Sequence, residues 1–516
     1  MTSVILPPKT NYGPAANFLA TPKKLLINGE WVDAASGQTF ATINPATEEK
    51  LADVALGDAE DIDRAVTAAR HAFESGPWSR MTPAERQRIL FRLGDLILEH
   101  GDELAWLESL DNGKPVHIAK AADIPLTADL FHYMAGWVRT LEGAIVPVSD
   151  IAVPGAEFHA YTLREPVGVC GLITPWNYPL LIAAGWQMAA CLAAGNTVVL
   201  KPSEVTPLSI LRFGELALEA GVPAGVINIV PGFGAGAGAR LSSHLDIDKI
   251  GFTGSTRTGR GILRSVADSN LKKVTLELGG KSPDVIMDDA DLDIAIPGAA
   301  EGIFFNHGQC CCAGSRLYVH DRVYDEVVAG ITAYAKTIRL GAGQDPNTQM
   351  GPMVSKQQEN TVLGYIESGI EEGAQITTGG RKVGEKGFFV EPTVFVETTQ
   401  AMKIVQEEIF GPVLAIQRFS DLNDLVQKAN DSNYGLGSGI WTTDLSAAHK
   451  LAKAIRAGTV FVNCYNVFDA AMPFGGYKQS GWGRNRGKEA FESYTETKAV
   501  YMRLDGIHHP ALARFH

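Results

Sequence analysis

Residues 178–200 read YPLLIAAGWQMAACLAAGNTVVL, and the fold turns on how this apolar stretch is read. Its length alone would suit a bilayer span. Gly185, Gln187 and the pair Gly195-Asn196 interrupt it, which divides it into a buried helix and a short strand beginning near Thr197. A helix that feeds a β-branched strand is one unit of an α/β protein. The same grammar recurs on either side. Val226-Ile227-Asn228-Ile229-Val230 and Val285-Ile286-Met287 are further short runs, each followed by a turn or a helical stretch, as parallel strands with crossover helices require. Upstream, Thr82-Pro83-Ala84-Glu85 combines a capping box with Pro at the first helical position. Ile89, Leu90, Leu93, Leu96 and Ile97 then keep helical spacing.

The chain has 516 residues, enough for two or three units with large cores. Hydrophobic residues make up 45% and charged residues 20%, which excludes wholesale disorder. With 45 Lys+Arg against 58 Asp+Glu the net charge is −13; such a surface repels phosphate backbones, so no nucleic-acid partner is expected. Residues Met1 to Pro22 hold no Arg and no continuous apolar core, and Pro7, Pro8 and Pro14 break them up. Neither a secretory signal nor a transit peptide fits, so a cytoplasmic protein without a membrane segment is expected. The six cysteines are Cys170, Cys191, Cys310, Cys311, Cys312 and Cys464. Three are consecutive and cannot readily bridge one another, which argues for a reducing compartment and against a disulfide framework. Ala160 to Arg164 and Lys498 to Arg503 alternate as exposed strands, and such strands could pair across subunits.

Chemistry concentrates in Phe304-Phe305-Asn306-His307-Gly308-Gln309-Cys310-Cys311-Cys312-Ala313-Gly314-Ser315-Arg316. A thiol beside small residues and amides is open to a substrate carbonyl, and thiolates are strong nucleophiles; a lone cysteine is more often a small buried hydrophobe. Glu277, in Thr275-Leu276-Glu277-Leu278-Gly279-Gly280-Lys281-Ser282-Pro283, would be a poor base unless desolvation raised its pKa. Val198 to Glu204 reads as a strand ending in a charged turn, a usual ligand position in a doubly wound sheet. Phe252 to Gly259 should open a helix whose backbone N–H groups could meet a phosphate. Pro231 to Gly238 is glycine-rich, a weak fingerprint that reads more readily as a flexible turn near a cofactor.

In order and in residues, these motifs resemble those of the NAD(P)-dependent aldehyde dehydrogenase superfamily, of the classical hydrolytic, tetrameric type. The resemblance implies an α/β fold. A Rossmann-like NAD-binding domain would span 22–147 and 167–279, and an α/β catalytic domain 280–494. A discontinuous β oligomerisation arm would span 148–166 and 495–510. It implies Cys311 as nucleophile, Glu277 as general base, and an oxyanion hole formed by Asn177 and the Cys311 backbone N–H. It places the cofactor against Thr174, Pro175, Trp176, Lys201, Glu204, Gly234, Ser255, Gly279, Glu408 and Phe410. Glu204 would repel a 2′-phosphate, so NAD is expected over NADP. No metal is implied. Tyr178, Trp186, Phe305, Cys310, Cys312, Phe468 and Phe474 match the family's substrate tunnel. Aromatic walls suit apolar or aryl aldehydes, although they could also hold the quaternary ammonium of betaine aldehyde.

The chain departs from the family in one region. Many members carry Lys after the tunnel Trp and Glu after the late Gly-Arg pair, both implicated in proton release; here these positions are Gln187 and Asn485. One extra residue also lies between Asn177 and Trp186. A CoA-acylating relative commonly lacks the base, so Glu277 argues against it. Intact Cys311, Glu277, Asn177 and Lys201 argue against a non-catalytic protein that keeps the fold.

Overall fold

The computed structural model describes residues 4, 10–151 and 155–505. In it residues 178–200 are buried throughout and form a helix that turns at Gly195 into the strand Thr197–Lys201. Part of that helix, Leu181–Met188, is π-helical. A π turn absorbs one residue more than an α turn, which is a way for this helix to take up the extra residue expected between Asn177 and Trp186.

Five parallel strands lie in the spatial order Ile227–Ile229, Thr197–Lys201, Val169–Ile173, Lys249–Thr253, Lys273–Glu277. Four of them, Ile227–Ile229, Val169–Ile173, Thr197–Lys201 and Lys249–Thr253, are buried at every residue, the expected state of parallel strands covered on both faces. The chain starts in the middle, winds to one edge, then returns to build the other. The switch point therefore falls between Val169–Ile173 and Lys249–Thr253, where the strand ends open a crevice suited to a ligand. A hairpin, Leu25–Ile27 and Glu30–Val32, extends one edge, and Gly481–Trp482 closes the other against Lys273–Glu277. Among the covering helices, Pro83–Glu99 begins at Thr82 with both arms of the capping box formed.

After Glu277 five residues carry the chain across to a second sheet. Its six parallel strands run in the order Thr393–Val396, Val413–Phe419, Arg316–His320, Pro283–Ile286, Gly437–Trp441, Thr459–Val462. The three cysteines occupy the loop that enters Arg316–His320. Glu277 thus ends a strand of one sheet, and the thiols precede a strand of the other.

The two outlying strands are Phe158–Pro166 and Thr495–Arg503, and they pair with each other inside one chain, not across subunits. The body forces this: Val167 N donates to Tyr494 O at 3.2 Å, so both strands leave the core side by side. Ala144 and Val146 hydrogen-bond along the far side of Phe158–Pro166, and Tyr501, Met502 and Leu504 are exposed. The expected arm residues 152–154 and 506–510 lie outside the described residues, as do Pro7 and Pro8. Among the described residues no helix is long and apolar enough to cross a membrane.

Candidate active site

Three successive residues before the thiols, Asn306, His307 and Gly308, have φ of 48°, 61° and 68°. Left-handed backbone is easy for Gly and uncommon elsewhere, although Asn and His adopt it more readily than most residues, and three in succession have to be held. Asn306 Nδ2 donates to Asn177 O and to Gln309 O, each at 3.1 Å. Gln309 Oε1 accepts from Val354 N at 3.0 Å, and its Nε2 lies 3.2 Å from His307 Nδ1. The turn delivers Cys311 half-exposed, with Cys310 and Cys312 buried beside it and their sulfurs 3.5 Å apart. Asn177 Nδ2 donates to Gln309 O at 3.0 Å, which orients its amide next to the thiol loop.

Cys311, Asn177 and Glu277 line one cavity of about 300 Å³. Hydrogen bonds with the Cys310 and Cys312 thiols, then burial, hold the Cys311 thiol well above its ordinary pKa. Glu277 is buried, its Oε1 has no hydrogen-bond partner, and burial pushes its pKa up to about 8 against the opposing pull of Arg484 and Arg486. The crossing glycines make room for this approach. A Cβ on Gly280 would meet Cys311 O at 2.1 Å, and one on Gly279 would meet Glu408 Oε2 at 2.0 Å.

Pro175, Trp176, Ser255, Gly279, Glu408 and Phe410 border the same cavity; Thr174 is buried behind it, its N–H on Lys201 O at 3.2 Å. Glu408 accepts from Gly280 N at 3.0 Å, and burial raises it to about 7. Phe410 meets Trp176 edge to face at 5.1 Å. Ser255 is exposed and caps the helix Thr256–Ala267, accepting from Thr258 N. Gly234 belongs to a second cavity of about 300 Å³, bounded by Ile173, Gly238 and Ile262 at the switch point. The glycine-rich segment is not a loose turn: Gly234–Gly238 is a π turn leading into Ala239–Ser243. Beside it the Lys201 ammonium binds Pro202 O at 2.6 Å and Glu204 at 3.2 Å.

On the other side of the thiols, Trp186, Phe468 and Phe474 form a ring cluster with centroids 5.0–6.4 Å apart. Tyr178 is hydrogen-bonded to Cys310 and covered by the Lys114 ammonium at 4.0 Å, and half-buried Phe305 packs on the same core. Gln187 donates to Thr253 Oγ1 at 2.8 Å while its Oε1 is buried without a partner. Gln187 and Asn485 border a small void behind Glu277.

Sequence reading did not single out Asn306, Gln309, Lys114, its buried partner Asp123, or Arg486. Asn-His-Gly ahead of the thiols was the available signal for the first two. Arg486 is 3% exposed, and its guanidinium lies 5.2, 4.7 and 5.2 Å from the Trp186, Phe468 and Phe474 rings.

The family model described as "Aldehyde dehydrogenase family" matches residues 31–500. "Aldehyde dehydrogenase family 2 member B4, mitochondrial" of Arabidopsis thaliana is 51% identical over 93% of this chain and 88% of its own. "Benzaldehyde dehydrogenase, mitochondrial" of Antirrhinum majus is 50% identical over 93% and 89%. A solved NAD+ complex of an aldehyde dehydrogenase from Bacillus cereus superposes with TM-score 0.93 at 51% identity, covering 98% of this chain and 100% of that one.

Proposed function

Since this chain belongs to the aldehyde dehydrogenase family, we propose that it oxidises apolar or aromatic aldehydes to carboxylic acids with NAD, using Cys311 as the nucleophile. The observation that carries this reading is the single cavity onto which Cys311, Asn177 and Glu277 converge with Glu408 and Phe410. Cys311 Sγ attacks the aldehyde carbon. The Asn177 amide and the Cys311 backbone N–H donate to the oxygen as charge develops on it, a contact typically worth about 2.7–4 kcal/mol per donor. Glu277, once ionised, takes a proton from the water that hydrolyses the thioester.

The residues present fit a dinucleotide. The switch-point cavity bounded by Gly234 and Gly238 is largely apolar and of a size for a base. The N-terminus of Thr256–Ala267, capped by Ser255, offers backbone donors to a diphosphate. Glu204, bound to Lys201 at the end of its strand, would accept from ribose hydroxyls and repel a 2′-phosphate, which supports NAD over NADP. Glu408 and Phe410 border the reactive end. When bound, NAD supplies the hydride acceptor.

The betaine aldehyde alternative loses support from Arg486: the rings that would hold an ammonium already face a guanidinium of the same charge. The exposed apolar residues of Thr495–Arg503 support a homotetramer built through the arm, and six free cysteines support a cytoplasmic location. The test is reduced-nicotinamide formation across an aldehyde panel; a Cys311→Ala variant that keeps the wild-type rate would refute the mechanism.

A further inference from the structure

Arg486 is buried among three aromatic rings, with no direct ion pair among the described residues, and its charge acts at longer range on Glu277 and Asp469. Aromatic faces balance part of a cation's charge but offer no in-plane acceptor for its N–H groups. Of the five donors, Nη1 reaches Asp469 O at 3.3 Å, and Nε is buried with no partner. The backbone is also held against preference, with φ 64° and ψ 175° at Arg486, and such strain persists only where the surroundings impose it. A neutral side chain of similar length would pack against these rings without a desolvated charge.

The rings belong to the wall next to the thiols, since Trp186, Phe474, Cys310 and Cys312 share one core cluster with Phe468 and Cys311 at its margin. A buried, planar, donor-rich cation beside a reactive thiol is suited to a carboxylate, which a guanidinium binds through paired N–H groups. We propose that Arg486 is a specificity-determining residue that selects aldehydes carrying a carboxylate, so that the substrates are short aldehydo acids with an aryl or alkyl body. The rings take the body, Arg486 takes the carboxylate, and Cys311 takes the aldehyde carbon. This rests on the aldehyde-oxidising reading above and narrows its substrate class.

The experiment compares kcat/KM for two matched pairs: 4-formylbenzoate against 4-methylbenzaldehyde, and 4-oxobutanoate against pentanal. Each pair is run on wild type, Arg486→Leu and Arg486→Lys, and the ratio within a pair is independent of the fraction of enzyme that folds. Wild type should favour the acid by at least about tenfold, the scale of a charge-assisted pair formed away from water. Arg486→Leu should abolish that preference, read as the ratio within each pair whatever the change in absolute rate, and Arg486→Lys should keep part of it. A wild type that prefers the neutral member, or a ratio unchanged in Arg486→Leu, would overturn the assignment. Reduction of NAD with neither member would overturn the aldehyde-oxidising reading as well.

Discussion

Replacing Glu277 by Gln keeps its shape and removes its titration, which makes it a direct probe of the buried carboxyl. Burial raises that group from 4.5 to about 8 in the folded protein. Below the unfolded value the carboxyl is protonated in both states and costs folding nothing. Between 4.5 and about 8 the folded chain holds a proton that the unfolded chain has released, so native stability falls as pH rises, levelling off above about 8. At about 1.36 kcal/mol per unit the loss amounts to about 5 kcal/mol. For 516 residues, with an unfolding entropy of about 2.1 cal/mol/K per residue, this corresponds to about 4 °C in Tm. The assay is thermal unfolding of wild type and Glu277→Gln at about pH 5 and about pH 9. The variant's Tm, relative to wild type, should rise by about 4 °C between the two conditions. Thioester hydrolysis by wild type should have an acidic limb near 8, and in the variant hydrolysis should be lost. Parallel melting curves at the two pH values would refute the argument that Glu277 is protonated at rest.

Three further outcomes are expected. Asn177→Ala should lower kcat by about 10²–10³ with little change in cofactor affinity, read from steady-state kinetics and cofactor titration. Gly280→Ala would bring a Cβ to 2.1 Å from Cys311 O and should displace the nucleophile; alkylation of Cys311 by iodoacetamide, followed by mass spectrometry, should slow markedly. Arg484 is the leading group opposing the burial shift of Glu277, so Arg484→Met should move the acidic limb of the pH–rate profile to higher pH.

The helix–strand alternation was legible because strands such as Thr197–Lys201 are buried at every residue and leave unbroken apolar runs. The thiol stretch and the Glu277 stretch stood out for a related reason: glycines and small residues cluster where backbone must approach closely, as Gly279 and Gly280 do. The π turn was not legible, since residues 181–188 are buried on every side and carry no periodic signal. Pairing of Phe158–Pro166 with Thr495–Arg503 is a property of the body that brings Val167 to Tyr494, and alternation within each strand does not encode it. Arg486 was hidden by the ordinary expectation that arginine faces water; only the ring cluster, assembled from Trp186 and the distant segment that carries Phe468 and Phe474, turns it inward.

The strand Gly481–Trp482, which seals the edge carrying Glu277, has a consequence in the order of synthesis. Trp482 and Gly481 pair with Leu276 and Glu277, while Ser480 accepts from Leu278 N at 3.0 Å and donates to Gly279 O at 2.7 Å. These clamps leave the ribosome roughly 200 residues after the strand they hold, about ten to forty seconds later at ordinary elongation rates. For most of that interval the thiol loop has already been made, but the glutamate's strand is open along one side. A nascent chain, or one cut short near its end, therefore carries the nucleophile without a fixed base. Loss of a few C-terminal elements should silence the chemistry well before it unfolds either sheet.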